Sequence, residues 1–293
     1  MKKSGQAVVR GAIASGASRS TPISSVESGN MNLGELRWPD IDTTTDRVLI
    51  VPIASLEQHG RHLPLLSDTM IGQAVINKIT PEIADIAVFL PMLWLGASDH
   101  HLAFPGTVSI PQDTYVKVLE GIVESAIMAG YRKILLLNSH AGNLVPAQLA
   151  LTNIQLQYKD AIPELFLALT SWFDIAGKEI AGLDGVVQPS VSHACEWETS
   201  IMLTAHPDLV VMAQAAGAHI DFSSRYFQPD YRAPQRVFVA RTMDQGTTTG
   251  AYGHCELASA EKGDAILCAA ATVLVDFVRE FHGWPLVTPQ PEA

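Results

Sequence analysis

Cysteine is scarce in this chain, and no apolar run is long enough to cross a membrane as a helix. The three cysteines, Cys195, Cys255 and Cys268, are odd in number and show no CxxC spacing. So sparse a set excludes a disulfide framework and a cysteine-based zinc site. A membrane-spanning helix needs roughly 18 consecutive apolar residues, and no run reaches that length. We therefore predict reduced thiols, a cytoplasmic location and no membrane partner.

Positive charge is also in short supply. Lysine and arginine together number 19 against 30 aspartates and glutamates, which gives a net charge of −11. Nucleic-acid binding depends on neutralising phosphates with basic side chains, so nucleic acid is not expected as a partner. Charged residues make up 17% of the chain and apolar residues 47%, a balance typical of a globular protein with a packed core.

The first thirty or so residues differ from the remainder. They are basic, rich in Ser, Gly and Ala, and contain no acid before Glu27. Arg10 and Gly11 interrupt the apolar stretch, which therefore makes a poor signal-peptide core. We expect a flexible N-terminal arm over residues 1–33. No later break in composition divides the chain, so a single hydrolase domain is expected over residues 34–293.

Short apolar runs alternate with longer segments of helical periodicity. The runs typical of doubly buried strands span residues 47–53, 87–93, 133–137 and 165–169. The predicted helices span residues 69–79, 111–129, 144–158, 199–204 and 258–281. The first helix is expected to stop before Pro81. This alternation predicts an α/β fold with a mostly parallel central sheet covered by helices.

Polar motifs follow the predicted strands. SLEQHG comes after the first strand, LGASDHHLAFPGT after the second and NSHAGN after the third, while HACEWETS opens a later helix. Ligands of parallel sheets gather at the carboxyl ends of the strands, so these motifs are expected to meet in one site. The polar segment 223–236 is expected to be a long loop, either over this site or on a neighbouring subunit.

The side chains in these motifs suit a transition-metal site. Glu57 and His59 are two residues apart and face the same way in extended backbone, and Asp68 and His140 return to the same edge. Mixed histidine and carboxylate ligands favour zinc, manganese or iron over calcium. Simpler roles are also open: His140 as a turn residue, Asp68 as a helix cap, and Glu57 as the partner of Arg61.

Five motifs together resemble the creatininase (creatinine amidohydrolase) family: EQHGRHLPLLSD, FPGT, NSHAGN, HACEWETS and ASAEKG. The resemblance runs from about residue 48 to residue 263, in the order of the family. It implies a three-layer α/β/α sandwich, a homohexamer, and a hydrolase with two divalent metal ions (Zn, Mn or Fe) per subunit. Most family members hydrolyse amide bonds of small molecules.

The resemblance also implies a role for each metal ligand. Glu57 and His140 would hold one metal, His59 the other, and Asp68 would bridge them. Creatininase proper supplies a fifth ligand, an acid, two residues after the turn-motif histidine, where this chain has Gly142. The resemblance then points to Glu196 as the fifth ligand, with Glu198 as the second choice.

Further roles are implied for the catalytic and substrate-binding groups. His193 matches the catalytic histidine and would shuttle a proton, with Glu196 beside it, unless His193 merely caps the following helix. Cys195 is expected to be a buried thiol rather than a nucleophile, because metal-bound hydroxide already fills that role. The candidate substrate-binding residues are His62, Asp99, His101, Asn143 and Trp172.

Two positions depart from creatininase proper. Ala141 and Pro189 stand where that enzyme has aromatic residues, which argues against a flat creatinine ring as the substrate. The family also contains a formamide hydrolase, a peptidase of mycofactocin maturation, and a hydrolase that opens a cyclic diketone derived from inositol. We predict that a metal-bridging hydroxide attacks a carbonyl of a small, cyclic substrate and cleaves a C–N bond. Carbon–carbon ring opening, a metal-dependent isomerase or lyase, and a catalytically silent binding or assembly protein are the alternatives.

Overall fold

A computed structural model describes residues 32–218, 222, 224–227 and 236–285. The predicted arm over residues 1–33 therefore lies, up to residue 31, outside the described residues, and so does most of the predicted loop 223–236. Asn32 already contacts the folded body, because it forms a parallel bridge with Phe89. Leu33 packs against buried residues of the core.

The centre of the fold is a parallel sheet, which has four strands in the described part of the chain. The strands are β1 (Val48–Ile53), β2 (Ala87–Phe89), β3 (Lys133–Asn138) and β4 (Phe166–Ser171). Their spatial order is β2-β1-β3-β4, and every pairing is parallel. The chain leaves β1 toward one edge of the sheet and later returns to build the other half from β3. The carboxyl ends of β1 and β3 therefore form a topological switch point, where such sheets bind ligands.

Helices cover both faces of this sheet. They are α1 (Ser67–Ile83), α2 (Gln112–Ala129), α3 (Leu144–Tyr158), α4 (Trp172–Ile175), α5 (Gly177–Ala181), α6 (Glu196–Ala205) and α7 (Ala260–Gly283). Side chains alternate along β1, so Val48 and Ile50 join one apolar cluster with α1, α6 and α7. Leu49 and Val51 join the other cluster, with α2 and α3. The predicted three-layer α/β/α class is confirmed.

The two largest differences from the predicted boundaries are both near prolines, and α6 begins at Glu196, three residues earlier than predicted. Helix α1 does not stop at residue 79 but continues through Pro81 to Ile83. The proline lies in the last turn, where its missing N–H removes little of the helix ladder, and the buried face continues to Ile83. Strand β2 ends at Phe89 rather than at residue 93, shortly before Pro91.

Among the described residues, none of the helices combines the length and the apolarity needed to cross a membrane.

Candidate metal centre

The switch point between β1 and β3 collects four of the predicted metal ligands. The loop after β1 carries Glu57 and His59, the first turn of α1 carries Asp68, and His140 follows β3 by two residues. All four side chains are buried. Charged groups are rarely buried without partners, so their mutual contacts decide what the cluster can do.

Asp68 lies between two imidazoles. Its Oδ1 is 3.1 Å from His59 Nε2, and its Oδ2 is 3.0 Å from His140 Nδ1. The Ser55 hydroxyl donates to Oδ2 over 2.6 Å and fixes the carboxylate. Asp68 makes no capping hydrogen bond at the start of α1, where Leu66 is the N-cap residue. The helix-cap interpretation is therefore wrong, and each carboxylate oxygen faces a different histidine.

Glu57 faces histidines rather than Arg61. Its Oε1 lies 3.3 Å from His101 Nε2 and 3.6 Å from His193 Nδ1. Its Oε2 lies 3.3 Å from His140 Nδ1, but no hydrogen bond reaches this buried oxygen within the described part of the chain. A buried carboxylate oxygen without a donor has a large unmet electrostatic demand, which a cation would satisfy.

Main-chain carbonyls fix the orientation of two of the rings. His59 Nδ1 is 3.2 Å from the Glu57 carbonyl oxygen, and His140 Nε2 is 3.2 Å from the Ala97 carbonyl oxygen. A carbonyl only accepts, so each of these nitrogens carries a proton. In the neutral rings the lone pair is then on His59 Nε2 and His140 Nδ1, the two atoms that face Asp68. This is the arrangement that metal-binding histidines adopt.

The pKa values of the histidines show that the carboxylates of the cluster favour positive charge beside them. Burial alone would lower the pKa of His59, but Asp68 outweighs it and raises that pKa to about 9. Burial would likewise lower the pKa of His140, but the charge on Glu57 outweighs it, and this pKa lies well above its usual value. Burial would raise the pKa of Glu57, but the charges on His140 and His101 hold it well below its usual value. Protons on the histidines thus neutralise the acids, a task that a divalent cation performs by displacing those protons.

Glu198 also belongs to this cluster. Potential ligand atoms of His59, His193 and Glu198 lie within 4.8 Å of one another, as do those of Glu57, Asp68 and His140. A third such group comprises Glu57, His101 and His193. Burial raises the pKa of the Glu198 carboxyl to about 7.

Glu196, the first choice for a fifth ligand and a predicted catalytic residue, lies outside the three groups of potential ligand atoms. Its carboxylate accepts the backbone N–H groups of Val187 and Gln188 at 3.0 and 2.7 Å, and the Lys262 ammonium at 2.5 Å. Residues two apart on a helix point about 200° apart around its axis. Because Glu198 faces the cluster, Glu196 faces away from it. The second choice, Glu198, lies in the cluster, and its Oε2 also accepts the Cys195 N–H over 3.2 Å at the start of α6.

Gly142 leaves no space for the acid that creatininase proper has at this position. A Cβ atom there would lie 2.4 Å from both the Ala97 carbonyl oxygen and His140 Nε2. Even alanine would force the turn and the ring apart. A carboxylate therefore does not fit at this turn, and the acid that joins the cluster from α6 is Glu198.

His193 presents one nitrogen to the cluster. Its Nε2 donates to the Gln58 carbonyl oxygen over 2.7 Å, so in the neutral ring the lone pair is on Nδ1, which faces Glu57. Burial, followed by the charge on His59, lowers the pKa of His193 to about 3. The N-cap residue of α6 is Cys195, so the interpretation of His193 as a helix cap is wrong.

Cys195 is fully buried, and burial raises the pKa of its thiol. Such a thiol is a poor nucleophile, as the sequence predicted.

A cleft of about 590 Å³, part of it open to solvent, lies over the cluster. Its titratable lining residues are Glu57, Asp68, His100, His101, His140, His193 and Glu198. Of the predicted substrate-binding residues, His101 lines this cleft.

The other four predicted substrate-binding residues do not line the cleft. The nearest polar partner of His62 is the Thr199 hydroxyl at 2.9 Å, and Asp99 accepts from Ser109 over 2.7 Å. The Asn143 side chain accepts the Ala97 N–H and donates to the Ala54 carbonyl oxygen, each over 3.0 Å. The Trp172 indole donates to the Ser139 hydroxyl over 3.2 Å. Position near a strand end does not tell which way a side chain points. Here His62, Asp99 and Trp172 contact side-chain hydroxyls, and Asn143 contacts the backbone.

Several lining residues were not predicted. Phe173, Val191 and Met243 provide much of the apolar wall, with Ala141 at its edge. Phe173 follows β4, so the strand-end rule could have found it. Met243 lies in a segment without a motif, and no sequence signal marks it.

Comparison with known proteins gives concordant matches over most of the chain. The sequence profile of the creatininase family, described as creatinine amidohydrolase, matches residues 34–278. Creatinine amidohydrolase of Pseudomonas putida is 28% identical over 268 residues, which cover 86% of this chain and 98% of that protein. A crystal structure of creatinine amidohydrolase superimposes with a TM-score of 0.72 at 25% identity, covering 86% of this chain and 98% of that one.

Two further relatives carry different activities. The mycofactocin precursor peptide peptidase of Mycobacterium tuberculosis is 27% identical over 261 residues, covering 85% of this chain and 89% of that protein. The 3-dehydro-scyllo-inosose hydrolase of Thermotoga maritima is 24% identical over 244 residues, covering 80% and 77%. The names of these relatives all denote hydrolytic enzymes, but with different substrates.

Proposed function

The chain belongs to the creatininase family of hydrolases, and from this premise we propose that it binds two divalent cations and hydrolyses a C–N bond beside a carbonyl in a small molecule. One observation carries this proposal. Asp68 presents its two oxygens to two differently placed histidines, His59 and His140, as a bridging ligand has to do.

The residues present fit two adjacent cations. Glu57, Asp68 and His140 would hold one cation, and His59, Asp68 and Glu198 the other. The donorless Oε2 of Glu57 and the lone pairs of both histidines support this assignment. A mixed nitrogen and oxygen set suits zinc, manganese or iron. When bound, the cations supply Lewis acidity that polarises a carbonyl and lowers the pKa of water.

The side chains of the protein then move and hold protons. In the neutral ring, His193 Nδ1 carries the lone pair and faces Glu57, so this atom would take a proton from the attacking water and return it to the departing nitrogen. The Gln58 carbonyl holds that ring through Nε2. Gln58 also donates its side-chain amide to His101 Nδ1 over 2.9 Å, which leaves His101 Nε2–H to donate to Glu57 and orient it.

Carbon–carbon cleavage of a cyclic polyol ketone is less well supported. Such a substrate needs polar side chains in the cleft to bind its ring hydroxyls, and the predicted candidates were His62, Asp99, His101 and Asn143. Of these, His101 lines the cleft, and it already contacts Gln58 and Glu57.

Turnover by the metal-replete protein in ¹⁸O-labelled water tests the proposal. The panel pairs small formamides, lactams and creatinine with cyclic polyol ketones, and Asp68→Ala is the blank. We expect amide turnover with ¹⁸O in the product, and its loss in Asp68→Ala. Turnover of ring ketones alone would replace the amide assignment, and product without ¹⁸O would indicate an isomerase or lyase. Ligand binding without any turnover would indicate a silent binding protein.

We also propose a single domain over residues 34–293 and a homohexamer. The outer side of α3 supports self-association, because Val145, Leu149 and Leu156 there are more than half exposed. Light scattering on the purified protein tests the assembly, and a monomer would exclude it.

A further inference from the structure

The cleft has an apolar side that the metal centre does not use. Phe173 is the second residue of α4, just after β4, and is buried, with its ring edge-on to that of Trp172 at a centroid distance of 5.4 Å. Val191 precedes His193 by two residues and packs against the same apolar cluster. Both side chains line the same cleft as His193. The cleft therefore has an apolar wall as well as its cluster of ionisable groups.

Met243 lines the cleft from another element. It begins the short 3₁₀ helix Met243–Gln245, whose start is closed by the Thr242 N–H donating to the Gln245 side chain over 2.9 Å. This turn packs against the turn Asp99–His101. Met243 is buried, so its side chain is held in place at the edge of the site.

Most polar groups of the cleft already have protein partners. Apart from His100, its ionisable lining residues belong to the candidate metal centre, and no lysine or arginine lines it in the described part of the chain. The two lining hydroxyls have partners as well: Ser139 accepts from Trp172, and Ser192 accepts from Gln188 and donates to the Tyr252 carbonyl. Outside the metal centre, the described lining offers a substrate carboxylate or hydroxyl one ionisable partner, His100, whose pKa is lowered by burial.

We infer that Phe173, Val191 and Met243 form an apolar subsite, which binds an uncharged, short aliphatic group attached to the scissile carbonyl. This inference rests on the proposed function and narrows its substrate class. The preferred substrates are neutral amides with an apolar substituent, and polyols and carboxylate-bearing amides are poor ones. Each methylene buried in such a subsite strengthens binding about fourfold.

Hydroxamates separate the subsite from the metal centre, because the hydroxamate group chelates the metal whatever tail it carries. We would measure calorimetric affinities of the metal-replete protein for acetohydroxamate, butyrohydroxamate, 4-hydroxybutyrohydroxamate and succinic monohydroxamate. We expect butyrohydroxamate to bind about 15-fold more tightly than acetohydroxamate, since it adds two methylenes. The hydroxyl and carboxylate tails should lose most of that gain.

Two matched variants locate the effect. Met243→Gln should reduce the butyro-over-aceto preference at least threefold, because a polar amide replaces the apolar wall. Met128→Gln is the control, since Met128 is 83% exposed on α2 and should leave the preference unchanged. Phe173→Ala provides a second test of the same wall.

Three outcomes would overturn the inference. Equal affinities for the four tails, or tighter binding of the hydroxyl or carboxylate tail, would exclude an apolar subsite while leaving the metal centre intact. An unchanged preference in both Met243→Gln and Phe173→Ala would exclude these residues as its walls. If no hydroxamate bound at all, the metal centre of the proposed function would fail, and the subsite with it.

Discussion

Single residues decide which acid faces the candidate metal centre. Glu196 and Glu198 are both buried in the first turn of α6, yet one accepts hydrogen bonds from Lys262 and the backbone and the other faces His59. Their positions around the helix axis, rather than their chemistry, separate the two roles.

Substituting glutamine for each of these two glutamates makes a matched test. We expect Glu198→Gln to lose about one of two bound cations, because a neutral amide is a weak ligand. Glu196→Gln should keep both, since this side chain faces away from the site. Metal content per chain by mass spectrometry after gel filtration measures both variants. Loss of metal from Glu196→Gln with retention in Glu198→Gln would reverse the assignment.

Two glycines differ sharply in the space around them. A Cβ at Gly142 meets the Ala97 carbonyl oxygen at 2.4 Å, whereas one at Gly121, within α2, meets nothing within 4 Å. We expect Gly142→Ala to lower the free energy of unfolding by about 1–3 kcal/mol through overpacking and to weaken metal binding through His140. Gly121→Ala should raise the free energy of unfolding by about 0.5–1 kcal/mol, since alanine favours helix. Urea titrations of both variants give these values, and equal effects would contradict the steric account.

His62 links stability to pH. Burial, and then the charge on His59, lowers its pKa to about 4, while an unfolded histidine has a pKa of about 6.5. Between these values the unfolded chain binds a proton that the folded chain does not, so stability is lost as the pH falls from about 6.5 toward 4.

The corresponding variant is His62→Gln, studied in metal-free protein so that metal release does not contribute. Its free energy of unfolding should fall less than that of the parent between about pH 7 and pH 5. Urea titrations at both pH values measure the difference. Parallel declines in the two proteins would show that His62 carries no part of the acid sensitivity.

Helices α6 and α7 are joined by a buried ion pair. Lys262 in the first turn of α7 reaches Glu196, which is fully buried, and also donates to the Leu257 carbonyl oxygen. We expect Lys262→Met to cost about 3 kcal/mol of unfolding free energy, because it leaves a buried carboxylate without its cation.

Lys78→Met is the control for this element. Lys78 pairs with Asp264 at 3.3 Å on the surface, where both side chains are well exposed. Its loss should change stability by less than about 0.5 kcal/mol. Chemical denaturation compares the two variants, and a cost for Lys262→Met as small as that of the control would mean that the backbone N–H groups alone satisfy Glu196.

The elements were predictable where local pattern decides them. Helix α3 has its predicted bounds, and α2 starts one residue later than predicted and is followed by Gly130 in the left-handed region. Strand ends placed Glu57, Asp68 and His140 together, since parallel strands point one way. The direction of a side chain depends on tertiary contacts. Spacing therefore could not tell that Asp99 and Asn143 do not line the cleft, or which of Glu196 and Glu198 faces it. Met243 depends on packing between distant turns and left no local signal.

At the scale of the whole molecule, the buried cluster would couple metal binding to folding. The candidate ligands lie in the loops after β1 and β3 and in the first turns of α1 and α6, so a bound cation would join elements that are far apart in sequence. We expect chelation by EDTA to lower the unfolding temperature by about 5–10 °C, which corresponds to about 2.7 kcal/mol at a metal concentration 100-fold above Kd. Differential scanning calorimetry measures this shift. Asp68→Ala is the control and should show almost none, and an equal shift in both proteins would place the stabilising cation elsewhere.

The crowding at Gly142 also limits how the site can be redesigned. A carboxylate introduced there by one substitution would collide with the Ala97 carbonyl oxygen and with His140, so that substitution alone cannot give the turn an acid. The turn around Ala97 would have to be rebuilt together with it. The apolar wall around Phe173 and Met243 carries no such restriction from Gly142, so engineering a new specificity should begin there.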